Sequence, residues 1–387
     1  MAGIGRIESR WRFLCLREAL FGDLGGIGPC SAGVFHKRGG CGSSKKKKIQ
    51  TRYGRIEIAN THQFSRLVQG FAISPYLQEM MVYVGQMEVY GKGVEVLSKL
   101  AQVEVCDAQL YRVTDAYGAL LEEQQPETTV ELPETTVDEH EVVYAQLDGS
   151  MIFTEKAWQE VKVGRVFREK DCVMSDSENR HGSIRQSHYA AYLGHYQTFC
   201  ERLRPLLEPY VKLNENLVFI TDGALWIRNW LSEHYPLARQ ILDFYHVKEH
   251  LSTFADVAKL QGAEKHQWLE KQSERLKQGQ LPEVLAAIRS ITLPTPAQRK
   301  DQERLLNYIQ DNAYRMHYDQ YIDYGLFIGS GAIEAAHRTV VQSRLKLSGQ
   351  RWSNNGAQNM LNLRVACMSN QWHKVVKLIQ NSTAQAA

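Results

Sequence analysis

The stretch LVFITDGALWI, Leu217–Ile227, decides the fold. Leu217–Thr221 is a short run of β-formers closed by Asp222-Gly223, after which the chain turns apolar at helical spacing. A brief apolar run bounded by a turn signal reads as a buried strand. An aspartate closing such a strand sits at its carboxyl end, where functional residues of α/β sheets collect. Glycine after it lets the backbone turn sharply. The arrangement occurs twice, because YAQLDGSMI ends a similar run at Asp148-Gly149.

Working outward, residues 142–248 read as α/β. EVVYAQLDGSMIF and WQEVKVGRVFREK are strands, and SIRQSHYAAYLG is a third. HYQTFCERLRPLLEPY is an amphipathic helix, NLVFITDG the fourth strand, LWIRNWLSEHYP a helix, and ARQILDFYHVKEHL a fifth strand running into a helix. That order predicts a mixed sheet flanked by helices. Residues 249–324 read as an all-helical insertion, rich in Gln, Lys, Glu and Leu, with a break at Leu293–Pro296. Residues 325–375 hold a final helix, from about Ala332 to Leu345, and C-terminal helices before a tail at 376–387.

If the strands ending in Asp148 and Asp222 are neighbours, two carboxylates lie side by side. They repel, so one protonates or a cation neutralises both. Oxygen-only acidic sites suit Mg²⁺, which takes one or two carboxylates together with phosphate oxygens. The chemistry of such a pair is two-metal phosphoryl transfer, in which two ions ~3.5–4 Å apart clamp the attacking and leaving oxygens. The competing reading is that each aspartate is only a turn residue. Glu334, in IGSGAIEAAHRTVVQSRLKLSG, is the best third acid. Arg338 shares its helical face at i, i+4. His337, Arg344 and Lys346 follow on the same helix, as phosphate contacts or as surface ion-pair partners.

Upstream, residues 49–122 form a small helical region. SPYLQEMMVYVGQM opens with a Ser cap and Pro at the first helical position. YGKGVEVLSKLAQ is a second helix, and VEVCDAQLYRVTDAYGALLEE a third with Asp107 as its cap. Three short helices with tight connections match a helix-turn-helix module, whose last helix would present Gln109, Arg112 and Thr114 to DNA; they match a plain three-helix packing unit equally well. Gln124–Glu141 duplicates PETTVE as PETTVD and is acidic and poor in large apolar residues. It reads as an extended linker at residues 123–141. Residues 1–48 read as a disordered leader ending in SSKKKK, or as a basic arm touching phosphate.

Composition bounds the rest. Net charge is +3, so any nucleic-acid surface is local. Seven scattered cysteines form no Cys-x-x-Cys pair, which argues against a zinc ribbon or redox dithiol and for a reducing cytoplasm. No apolar run reaches the ~18 residues of a membrane span, and no signal peptide is visible. No G-x-x-x-x-G-K-[ST] loop occurs, which excludes a phosphate-cradling NTPase of that kind.

DGSM at 148–151, TDGA at 221–224, DFYH at 243–246 and GSGAIEAAHRTVVQSRLKLSGQRW at 329–352 together resemble insertion-sequence transposases of the ISKra type, in the Mutator-like group of DDE transposases. The likeness covers roughly residues 50–375. It implies an RNase H-like catalytic domain with a triad Asp148, Asp222 and Glu334 that holds Mg²⁺, with Mn²⁺ able to substitute. It implies an all-helical insertion before the last acid, matching residues 249–320. Asp243 and His246 resemble the family's (Cys/Asp)-x-x-His signature, with a role in positioning or in contact with the DNA end. Trp352 resembles a position that could stack on a flipped base, and a packed core Trp fits as well. The Cys-x-x-Cys-Gly element that the family commonly carries after the TRYG stretch has no counterpart here.

The expected activity is DNA cleavage at transposon ends and strand transfer into target DNA, by a homo-oligomer on double-stranded DNA, nucleoid-associated and not membrane-bound. The rivals are a decayed or repurposed transposase that only binds DNA, and an RNase H-like repair nuclease.

Overall fold

The structure is a computed structural model that describes residues 46–51, 54–59, 67, 70–124, 138–174 and 182–384. Most of the proposed leader and of the acidic linker lies outside the described residues, as does the end of the tail. The chain divides into two compact units, residues 1–125 with 342–387, and residues 126–341.

The first unit opens with an antiparallel hairpin of β1 (Lys46–Thr51) and β2 (Gly54–Ala59). Lys46–Lys48, assigned from sequence to the leader, are therefore strand residues; a lysine run gives no apolar signal for pairing. Three helices follow: α1 (Pro75–Met87), α2 (Tyr90–Ala101) and α3 (Asp107–Glu123). Ser74 caps α1, its Oγ accepting from the Leu77 N–H, with Pro75 at the first position. The third helix is capped by Cys106, and Asp107 stands inside its first turn, where a carboxylate favours the helix dipole.

The second unit carries the sheet. Its strands are β3 (Val143–Phe153), β4 (Trp158–Arg168), a small hairpin of β5 (Cys172–Met174) and β6 (Gly182–Ile184), and β7 (His188–Leu193). Then come α4 (Tyr196–Leu207), β8 (Leu217–Thr221), α5 (Leu225–His234), β9 (Arg239–Leu242) and α6 (Phe244–Val257). The sheet order is β7-β4-β3-β8-β9. β3–β4 and β4–β7 are antiparallel, while β3–β8 and β8–β9 are parallel. This five-stranded mixed sheet flanked by helices is the expected α/β architecture, compatible with an RNase H-like fold.

Both sheet faces are covered, which is why its central strands read as continuous apolar runs. Val143, Ala145, Leu147 and Phe219 pack under α4 and α5. Tyr144, Val218, Ile220 and Ile241 pack with the helices that follow β9. Those are α6, α7 (Gly262–Lys277), α8 (Leu281–Arg289), α9 (Pro296–Asp311) and α10 (Tyr318–Asp323). The break at Leu293–Pro296 ends in a capping box, in which Thr295 and Gln298 satisfy each other's free backbone groups and start α9.

The last helix, α11 (Gly331–Ala336), continues through a π-helical segment, His337–Gln342, to Ser343–Leu345. The chain then rejoins the first unit as α12 (Asn354–Met368) and α13 (Trp372–Ala384). α12 packs along α3 so closely that a Cβ on Gly118 would stand 2.5 Å from the Asn359 carbonyl oxygen. Asn359 donates to Asp115, and Asn362 to the Gly118 carbonyl and to Glu122. The core of this unit therefore joins Leu110, Val113 and Tyr117 to Leu363, Ala366 and Val375, more than two hundred residues on. No helix among the described residues is long and apolar enough to cross a membrane.

Candidate active site

The register of β3 against β8 pairs Leu147 with Thr221, which puts Asp148 and Asp222 next to each other, one residue past the last parallel pair. Asp148 is partly exposed, and its Oδ1 accepts from the Gly149 N–H at 2.7 Å. Asp222 is half-buried, and its Oδ1 accepts from the Ala224 N–H at 3.0 Å. Burial pushes the Asp222 carboxyl above the usual carboxylate range; the Ala224 N–H opposes this, and the charge of Asp148 adds to it. Burial is the larger cause and the neighbouring Asp148 charge a smaller one, with His246 and Arg315 acting in the opposite direction.

A buried arginine from the helical insertion braces this edge. Arg315 is 0% exposed. It donates to Thr221 Oγ1 at 3.2 Å, to the Asp222 carbonyl at 3.1 Å and twice to Asn312 Oδ1. Burial lowers its proton affinity, yet a guanidinium stays protonated in proteins. Gly223 packs closely, since a Cβ there would stand 2.3 Å from the Tyr308 ring and would force that ring to shift.

Asp243 closes β9 and caps α6, with its Oδ1 accepting from the Tyr245 N–H. It is 1% exposed and fully used. His246 Nδ1 lies 2.9 Å from Oδ2, and Ser330 binds the carboxylate through both its backbone N–H and its Oγ. Burial alone would raise the Asp243 carboxyl, but His246 and Ser330 outweigh it and hold it low. The bond to Asp243 lifts the His246 imidazole to about 9 against the opposing effect of burial. At neutral pH His246 is thus a fixed imidazolium whose charge is felt by Asp148 and Asp222.

Ser330 begins the turn into α11 and Glu334. Tyr144 and Gln146, on the same face of β3 as Asp148, both bind this segment. The Phe327 N–H donates to Tyr144 Oη; Gln146 Oε1 accepts from the Ile333 N–H at 2.8 Å, and its Nε2 donates to the Gly329 carbonyl at 3.3 Å. Arg165, opposite Gln146 on β4, donates to the Ala332 carbonyl at 2.7 Å. One turn beyond Glu334, His337 Nε2 stands 3.2 Å from Asp148 Oδ2. That contact is off the hydrogen-bond axis, and neither ring nitrogen of this buried histidine has a hydrogen-bond partner among the described residues. The Glu334 side chain is exposed and forms no hydrogen bond or ion pair among the described residues.

Asp148, Asp222, Asp243, His246 and His337 therefore gather at one sheet edge, with Glu334 on a tethered helix beside them. Arg338 is exposed on the next turn. The two adjacent aspartates fit a hard divalent cation, which needs one or two carboxylates and completes its shell with water and phosphate oxygens. A set of three His, Cys, Asp or Glu side chains gathered closely enough to hold a metal is absent among the described residues. The structure does not bring Glu334 together with the two aspartates.

The remaining candidates lie in the helical unit. Arg344 is 1% exposed and works inside that unit, donating to the Gly85 carbonyl at 3.0 Å with its guanidinium over the rings of Tyr90 and Trp352. It is not available to phosphate in this conformation, because an arginine with an aromatic ring on either flank is held as core. Trp352, 8% exposed, is likewise a packed residue and not an open stacking platform. Lys346 and Arg112 are exposed, Gln109 is half-buried, and Thr114 faces inward with its Oγ1 donating to the Leu110 carbonyl. The third helix thus offers DNA less than its pattern promised: its outward stripe holds Ala108, Tyr111 and Arg112.

Gln146, Arg165, Arg315 and Ser330 escaped sequence reasoning. Only Gln146 left a signal, as a polar residue inside an otherwise apolar strand.

A chain with two adjacent aspartates on a mixed sheet, Asp148 inside β3 and Asp222 just past the end of β8, belongs, by fold and site, among α/β proteins with an acidic centre on the sheet. The chain is a member of UPF0236, an uncharacterised protein family, whose model matches residues 72–381. No curated protein matches it.

Proposed function

We propose that this chain is a DDE-type transposase, resembling the ISKra type, with an RNase H-like catalytic unit that cuts DNA at transposon ends and joins them to target DNA. The observation that carries the reading is the pair Asp148 and Asp222 on adjacent parallel strands, with the turn into Glu334 tied to the same sheet face. Membership in UPF0236, a family commonly associated with transposases, supports it.

Asp148 and Asp222 would hold Mg²⁺ or Mn²⁺, with Glu334 as the third acid. When bound, the cation neutralises charge that develops on the scissile phosphate and lowers the pKa of water. The protein's own contribution is alignment. Arg315 fixes the backbone of Asp222, and Asp243 fixes both His246 and Ser330. The His246 imidazolium supplies a cation to a phosphate oxygen, and exposed Arg338 a second. In the helical unit, α1–α3 act as a helix-turn-helix-like module with Arg112 and Lys346 on DNA phosphate. End cleavage and joining call for more than one copy on the DNA.

The test is nicking of supercoiled plasmid by purified protein in Mg²⁺ and in Mn²⁺. Asp148→Asn, Asp222→Asn and Glu334→Gln should each lower the rate at least ~100-fold, about 2.7 kcal/mol of transition-state stabilisation, without unfolding. A folded single variant that still nicks at the wild-type rate removes that residue from the mechanism. A second reading, a DNA-binding protein without catalysis, is favoured by the missing three-ligand metal set among the described residues. It predicts equal DNA affinity with and without metal, and no nicking.

A further inference from the structure

Gln146 is 1% exposed, and its amide is wholly engaged by one segment. Oε1 takes the Ile333 N–H and Nε2 the Gly329 carbonyl, so the side chain bridges two backbone groups four residues apart across the turn into α11. Arg165, its cross-strand partner, adds the Ala332 carbonyl. Glu334 follows directly on Ile333. Its backbone neighbours are held, while its carboxylate is exposed and has no partner among the described residues. His337, three residues on, already reaches Asp148 at 3.2 Å. Side chains at i and i+3 of a helix leave it ~5–6 Å apart, so Glu334 starts from a backbone that already lies against Asp148.

We propose that Gln146, seconded by Arg165, is a positioning residue that sets the reach of Glu334 toward Asp148, so that Glu334 joins the two aspartates by side-chain rotation alone, without movement of its helix. This rests on the reading of the three acids as one divalent-cation site. Gln146 touches neither metal nor substrate on this account. It acts through the backbone of residues 329–333.

The test is a double-mutant cycle on the full chain, read by Mn²⁺ binding in electron paramagnetic resonance, with amide hydrogen exchange over residues 329–338 alongside. Glu334→Gln should weaken Mn²⁺ ~10-fold or more, and Gln146→Leu by a similar factor, as expected for loss of a group that orients a ligand. The double variant should be no weaker than either single one, because a tether for an absent ligand has nothing to hold. Exchange should accelerate in Gln146→Leu, and in the wild type it should be unchanged by Mn²⁺. Gln146→Asn, an amide one methylene too short to span both partners, serves should the leucine variant fold poorly, and should weaken Mn²⁺ likewise. Additive losses, wild-type Mn²⁺ affinity in the Gln146 variants, or slower wild-type exchange on metal binding would overturn the proposal. A wild type that binds no Mn²⁺ sinks the metal-site reading itself. That outcome is distinct, since failure of the Gln146 proposal alone requires a wild type that binds.

Discussion

Replacing Arg315 with methionine should separate stability from function. The side chain is 0% exposed, and no carboxylate lies within ion-pair distance of it among the described residues. Its neutral acceptors are partly satisfied without it: Thr221 Oγ1 also donates to the Asp222 carbonyl, and Asn312 Nδ2 donates to the Tyr308 carbonyl. The main orphan left is Asn312 Oδ1, which costs about 1–3 kcal/mol when buried and unpaired. Against this, the desolvation penalty of a buried cation, several kcal/mol, is relieved. The two nearly cancel, and a net change within about 2 kcal/mol is expected, a shift of no more than ~8 °C in melting temperature. Activity should not be spared. Asp222 loses its backbone brace and the cation that opposes its protonation. A tenfold loss in plasmid nicking corresponds to only ~1.4 kcal/mol, and at least that much is expected. The acidic limb of the pH–rate profile should also move to higher pH, because Asp222 is then harder to ionise. Arg315→Lys should recover part of the activity. A variant that melts like the wild type and nicks within twofold of it across pH would refute the brace; a variant that does not fold would refute the cancellation.

Two further outcomes are expected. Gly118→Ala gains about 1 kcal/mol of helix propensity, but its Cβ meets the Asn359 backbone at 2.5 Å; overpacking of this kind costs about 1–3 kcal/mol, and more where backbone must give way, so calorimetry should show net destabilisation, and a stabilised variant would argue against the close pairing of α3 and α12. The His246–Asp243 pair should give a pH-dependent stability. The His246 pKa is raised from its ordinary 6.5 to about 9, so its contribution is complete below ~6.5 and lost as pH rises through ~9; the lowered Asp243 contributes above its unfolded pKa, ~3.9, and that part is lost as pH falls through its folded value. Urea melts of wild type and His246→Gln should converge above about pH 9, and parallel curves would count against the pair.

Much of this was legible in the sequence. The strand ending at Asp222 was plain because five apolar or β-branched residues stop at Asp-Gly; Asp148-Gly149 looked like the same stop, but β3 runs on to Phe153 against β4, so Asp148 lies mid-strand and marks only the end of the pairing with β8. Their adjacency was a conditional that the register of β3 on β8 resolved. The helical insertion was readable from periodicity and from the Thr295–Pro296 cap. What could not be read is whatever depends on distant partners. Arg344 looks like any basic residue late on a helix; only the folded chain puts Tyr90 and Trp352 around it. Thr114 carries a hydroxyl, and nothing local reveals that it faces inward. Arg165 and Arg315 likewise read as surface charge, because burial of a guanidinium is decided by carbonyls elsewhere in the chain. The hairpin of β5 and β6 is too short to leave a pattern.

The return of α12 to α3 has a consequence for synthesis. The sheet unit is a continuous stretch, so it can begin to fold as soon as its own residues have been made. The helical unit cannot, because Tyr117 and Leu110 share a core with residues from Leu363 onward. While the intervening stretch is being translated, the three N-terminal helices wait with an apolar flank uncovered, in need of a chaperone or of haste. A message cut short or shifted in frame between Gln342 and Asn354 would therefore yield a chain whose sheet unit is complete but whose helical unit lacks two of its walls, and such a product should be cleared by proteolysis before it can act.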